Sequence, residues 1–134
     1  MTKIRDYKIL RDDISESGFD IGVLIVNTKF NLLSPFKDLV YEKELENIIN
    51  ISLVHPIFVT KTLLPELEKR DHKSAIILVN SQQGCIPAAG SLAFSSSSKF
   101  VSNFARGLNY ELKNEKIDVL SFERGNLVYE NDYL

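Results

Sequence analysis

The side chains able to do chemistry are few and poorly grouped. His55 precedes Pro56 inside a helical pattern, and His72 stands in an Asp-His-Lys turn. No second ligand is spaced to share a metal ion with either, so both read as structural and no metal site is expected. Cys85, the only cysteine, follows Gly84 beside Ile86-Pro87 and reads as a partly buried, inert thiol. The run Ser95-Ser96-Ser97-Ser98 offers hydroxyls for phosphorylation, but reads first as the opening of a helix that supplies its own N-cap. Ser81 follows an apolar run, where a serine usually bonds its own loop. Asp12-Asp13 and the acidic stretch from Glu42 to Glu46 read as solvated faces.

Composition narrows the classes of protein that these side chains can serve. Sixteen Lys plus Arg against 18 Asp plus Glu give 134 residues a formal charge of −2. That balance excludes a dedicated nucleic-acid binder, which carries a strongly basic face. A hydrophobic share of 44% with 25% charged residues fits one globular domain and not a disordered chain. A lone cysteine excludes an internal disulfide framework and a cysteine-rich zinc site. No uninterrupted apolar run reaches the roughly 18 residues of a membrane helix, and no signal-peptide pattern opens the chain. A soluble, intracellular domain with no transmembrane segment is the expectation.

The elements that must position the site residues follow from periodicity. Three short apolar runs, 21–26 (IGVLIV), 75–79 (AIILV) and 117–122 (IDVLSF), read as strands, the first two apolar throughout as in strands buried on both faces. Between them, 45–70 and 95–113 repeat apolar residues every three or four positions and read as helices. The first carries Leu45, Ile48, Ile49, Leu53 and Leu63, the second Phe100, Val101, Phe104, Leu108 and Leu112. Alternating strand and helix imply parallel strands in an α/β layer fold. Residues 1–19 read as a loop with a short helix around 12–18. Pro56 lacks the N–H that would reach the Ser52 carbonyl, so the first long helix is expected to kink there. The strand at 21–26 reads as central, yet no strand precedes it, leaving an apolar edge to be covered.

Asp20 to Asn27 (DIGVLIVN) resembles the fourth-strand signature of short-chain dehydrogenase/reductases, D-x-x-V-L-V-N-N-A-G. The wording D-I-G-V-L is most similar to the very-long-chain 3-oxoacyl-CoA reductase and 17-beta-hydroxysteroid dehydrogenase branch. Downstream, Leu63-Leu64-Pro65 resembles the V-L-P closing the next helix, and Ser81-Gln82-Gln83-Gly84 the S-x-x-G after the fifth strand. Glu111-Leu112 resembles the E-L at the end of the following helix, and Arg124-Gly125 falls where the family has P-G. The likeness implies a partial Rossmann-like sheet over 1–134, the region of strands four to six, without the N-terminal part that binds the dinucleotide phosphates. It also implies NAD(P) chemistry, oligomers built on helices 45–70 and 95–113, and a cytoplasmic place or one peripheral to the endoplasmic reticulum.

What the likeness implies for catalysis is an Asn, a Ser and a Tyr-x-x-x-Lys pair, in which the tyrosine hydroxyl exchanges a proton with the substrate oxygen. The lysine lowers that hydroxyl's pKa and holds the nicotinamide ribose. Carried over, Ser81 matches the Ser, and Ser52 falls on the Asn position with Asn50 two residues early. A gapless register puts Phe94 on the Tyr and Ser98 on the Lys; the alternative uses Ser95 and Lys99 but needs an insertion and a deletion. That alternative turns the helix by about 100° and its apolar face away from the core. Neither register supplies a tyrosine. Asn27 and Thr28, followed by Lys29, replace N-A-G beside the cofactor, and Gly125 is retained. The Gly-rich turn that cradles pyrophosphate has no counterpart in this sequence. Catalytic inactivity is expected, with NAD(P) not bound by this chain. Two other readings stay open: a piece of an active reductase whose N-terminal half is absent, and an assembly subunit using the two helices.

Overall fold

A computed structural model describes residues 4–28, 34–38 and 42–125. Helix α1 spans Ile4–Ser17 and strand β1 Val23–Val26, and a rod of helix from Glu42 to Glu68 follows. The rod has three parts: α2 (Glu42–Ile49), a π turn (Asn50–Val54) and α3 (His55–Glu68). Then come β2 (Ser74–Ser81), a 3-10 turn (Gln82–Cys85), α4 (Leu92–Glu111) and β3 (Ile117–Arg124). The strands form one parallel sheet in the order β1-β2-β3, with Leu24, Ile76 and Val119 in line across it. This is the α/β parallel architecture that the sequence implies.

The core lies on one face of the sheet. Ile76 and Leu78 of the central strand are fully buried beneath Val59, Leu63 and Leu67 of α3 and Val101 and Ala105 of α4. The other face is bare among the described residues. Val23, Ile25, Leu120 and Phe122 are each more than half exposed, with Ile25 at 60%. The expectation that these strands are buried on both faces is therefore corrected: their composition suits two covered faces, but the helices described here all pack on one.

Two further expectations change. The N-terminal segment is a helix from Ile4, not a loop with one short turn of helix. Tyr7, Leu10 and Ile14 lie three and four residues apart on its face toward the core, and Tyr7 stacks on Phe58 of α3 at 5.5 Å. Gly18, at φ 69°, ends α1 in the left-handed conformation that glycine adopts most cheaply. The rod does not simply kink at Pro56: the His55 N–H bonds to the Asn50 carbonyl, five residues back. A wider turn thus lets the proline enter at the start of α3, where a missing N–H costs least. By length and composition Glu42–Glu68 is apolar enough to cross a membrane, which a search for an uninterrupted apolar run passes over. Its sheet-facing residues Pro56, Val59, Thr60, Leu63 and Leu67 are buried as in a core helix.

The end of the sheet where the strands begin is clasped. Arg70, after α3, reaches Asp20 through Nε and Nη2, and Nη1 donates to the Lys73 carbonyl at 2.9 Å and to Ser74 Oγ at 3.2 Å. Gly22 makes room for it, since a Cβ there would stand 2.7 Å from Arg70 Nη1. That hydrogen bond holds the Asp20 carboxyl below its usual pKa.

A candidate active-site cleft

The opposite end of the sheet, where parallel strands deliver their ligand sites, holds a cleft. Asn27 and Thr28 follow β1 at its rim, Asn80 and Ser81 end β2, and Arg124 ends β3 opposite Ser81. Ser52 of the π turn and Pro56 of α3 form one wall, and Phe94, Ser97, Ser98 and Val101 of α4 form the other. The space among them is about 30 Å³, enough for a water or two.

Helix α4 is aimed by contacts at both ends of its cleft face. Phe94 and Ser98, four residues apart, share one side of the helix and are 5% and 4% exposed. Lys99, one residue further round, is exposed and does not line the cleft. Asn80 Nδ2 donates to the Ser98 carbonyl at 2.6 Å, and Ser102 Oγ donates to Glu123 Oε1 at 2.9 Å. The 3-10 turn presses Gly84 against α4 so closely that a Cβ there would lie 2.7 Å from the Lys99 nitrogen and 2.8 Å from the Ser98 carbonyl carbon.

The serine run does not open the helix: α4 begins at Leu92, with Ser91 at the N-cap and no side-chain cap bond. Ser95, Ser97 and Ser98 are buried in the first turns. Ser95 Oγ donates to the Leu92 carbonyl and Ser97 Oγ to the Phe94 carbonyl, the back-bonding that small hydroxyls use inside a helix. On the facing wall Ser52 is 7% exposed, and its Oγ is buried with no hydrogen-bond partner among the described residues. Gly125 lies beside Gln82 outside the cleft lining. Lys29 lies outside the described residues, as does the side chain of Cys85.

The lining is chemically one-sided. It has hydroxyls, amides and apolar groups, with Arg124 as its single charged side chain among the described residues. His55 is next to Pro56 but turned to the α1 side, where its Nδ1 lies 3.0 Å from Tyr7 Oη. Burial pushes its pKa below the ordinary histidine value. Among the described residues no histidine, cysteine or carboxylate lines the cleft. No group of three or more His, Cys, Asp or Glu is placed to hold a metal among the described residues. Asn80 and Ser97 were not foreseen, because a strand end and a buried helical serine carry no signal until the strand register is known.

The sequence profile of the short chain dehydrogenases matches residues 1–128. The chain belongs to the short-chain dehydrogenase family. It is 32% identical over 115 residues to very-long-chain 3-oxoacyl-CoA reductase of Neurospora crassa, covering 85% of this chain and 34% of that protein. It is 31% identical over 103 residues to inactive hydroxysteroid dehydrogenase-like protein 1 of Pongo abelii, covering 76% of this chain and 31% of that one. The chain thus spans about a third of the length of these relatives. The fold matches an NADPH-bound short chain oxidoreductase with an atypical catalytic centre from Pseudomonas aeruginosa PAO1. The TM-score is 0.83 at 18% identity, over 98% of this chain and 50% of that one. NAD(P) is the family's cofactor, but the residues here do not fit it. Among the described residues no glycine-rich turn offers clustered N–H groups to a pyrophosphate, and no lysine lines the cleft to hold a ribose.

Proposed function

We propose that this short-chain dehydrogenase relative is non-catalytic and serves as an interaction subunit, on the scaffold of the 3-oxoacyl-CoA and hydroxysteroid branch. One observation supports the reading: Phe94, which the resemblance puts at the family's tyrosine position, lines the cleft wall, and no histidine, cysteine or carboxylate lines it among the described residues. Acid–base catalysis typically contributes about 10²–10⁴-fold, so its removal alone disables the reaction. Ser98 in place of lysine removes the charge that would acidify a phenol. Ser81 and Ser52 then act as wall hydroxyls, and Asn27 and Thr28 as rim groups.

The test is direct. Purified chain mixed with NADPH and a 3-oxoacyl-CoA or steroid ketone consumes no NADPH above the protein-free rate, and NAD(H) or NADP(H) titrated into it binds no tighter than millimolar. Sustained NADPH consumption sinks the reading. The alternative, a piece of an active reductase whose N-terminal half is absent, predicts an upstream reading frame encoding T-G-x-x-x-G-I-G, and a transcript without it ends that reading.

A second observation supports the interaction role. On the outer side of α2 and α4, Phe36, Ile49, Leu92 and Phe100 are exposed around an apolar groove. These are the helices through which the family assembles, and a like or related chain is the partner that the groove suits. Light scattering behind size exclusion is expected to give more than one chain per particle at micromolar concentration. The family context also favours an intracellular place, cytoplasmic or peripheral to the endoplasmic reticulum.

A further inference from the structure

The cleft has lost its acid and base but has a charge of its own. Arg124 forms no ion pair among the described residues. Among the described residues no carboxylate lines the cleft with it; the neighbouring Glu123 accepts from Ser102. Ser52 contributes a buried hydroxyl whose proton has no acceptor, a loss that burial makes costly. Thr28 and Asn27 add uncharged donors at the rim, and Val26, Pro56, Phe94 and Val101 give the interior apolar walls. A fixed cation beside hydroxyl donors and a small apolar recess is the complement of a carboxylate on a short tail.

We propose that the cleft binds a small organic carboxylate, its anionic end on the Arg124 guanidinium and Ser52 donating to the oxygen that enters. The enclosed recess of about 30 Å³ takes the carboxylate end alone and leaves a short tail toward the cleft's open mouth. The proposal rests on the reading of this cleft as non-catalytic, because it assigns Arg124 to holding a ligand that is not transformed. A planar guanidinium pairs with two carboxylate oxygens at once, which a lysine at the same position does not.

The test uses the whole chain, with ¹⁵N-labelled protein titrated with sodium butyrate and followed by the amide signals of Asn27, Asn80 and Ser81. Saturable shifts with butyrate, and about tenfold weaker ones with the neutral butyramide, are expected. Arg124→Gln should weaken butyrate about tenfold or more, and Ser52→Ala by roughly threefold to tenfold, as expected for charged and neutral hydrogen bonds. Arg124→Lys keeps the charge without the fork and should fall between the parent and Arg124→Gln. Arg106→Gln, on an exposed arginine bonded to Asn103, should change nothing. Circular dichroism on each variant separates lost binding from lost fold. Equal binding of butyrate and butyramide, or a parent-like titration of a folded Arg124→Gln, overturns the proposal. Tighter binding of inorganic phosphate than of butyrate overturns the choice of carboxylate. The NADPH assay is read separately: turnover with butyrate binding intact defeats the non-catalytic reading alone, and absence of both defeats the ligand alone.

Discussion

Phe94 and Ser98, which we propose stand where the family has its acid and that acid's helper, line the cleft from one face of α4. Restoring the phenol alone, Phe94→Tyr, leaves a hydroxyl near its ordinary pKa of about 10, and Lys99 points to solvent instead of toward it. That variant is expected to show no NADPH consumption in a spectrophotometric assay. Gly84→Ala is expected to destabilise by about 1–3 kcal/mol in urea titrations, because the new methyl meets the backbone of Ser98 and Lys99 and neither can yield without shifting α4. His55 sets a pH dependence. Its pKa is lowered by burial, so the unfolded chain binds the proton more readily than the folded one. Its stabilising effect is complete above the ordinary value of 6.5 and is lost as pH falls below it. Melting temperature should drop between pH 7 and 5, and His55→Asn should flatten part of that slope. Phe94, Ser98 and Ser52 were singled out in sequence by the family resemblance, which counts positions along two helices, and not by spacing alone. Asn80 was not, because its place in the cleft depends on which residues separate strands set side by side.

At the scale of elements, α1 was the segment least legible, and its physics explains why. Only Tyr7, Leu10 and Ile14 pack toward the core, among many charged neighbours, so periodicity is faint. The helix is held by its contact with α3 more than by its own propensity, as short helices usually are. Tyr7→Ala removes the ring stacked on Phe58 and the hydroxyl bonded to His55. It is expected to cost about 3–5 kcal/mol and to strip hydrogen-exchange protection from α1 before the sheet. The rod of Glu42–Glu68 was legible as helix but not as three segments. Pro56 announces a disturbance, yet the choice between a kink and a wide turn is made by the packing that keeps Ile48 and Leu67 both buried.

At the scale of the whole molecule, the described residues form a sheet dressed on one side. The bare side carries Ile25, Leu120 and Phe122, with Phe122 at 52% exposure. A patch of this kind binds hydrophobic dyes and draws proteins together. Replacing Leu120 by Lys and Phe122 by Glu together is expected to reduce dye fluorescence sharply and to move the melting temperature little, because both side chains are already more than half in water. Apolar residues at both parities gave no warning of this asymmetry; the sequence of β1 and β2 suits coverage on two sides. The wide turn at Asn50–Val54 governs how the molecule tolerates a change in length. In an unbroken α-helix a deleted residue rotates everything beyond it by about 100°. Here a loss within the turn converts a wide loop of backbone into an ordinary one, and Val59, Leu63 and Leu67 keep their phase on the sheet. Only the wall bearing Ser52 is re-aimed. The rod therefore carries its own slip joint, placed beside the cleft, where one residue gained or lost reshapes a binding wall and spares the core.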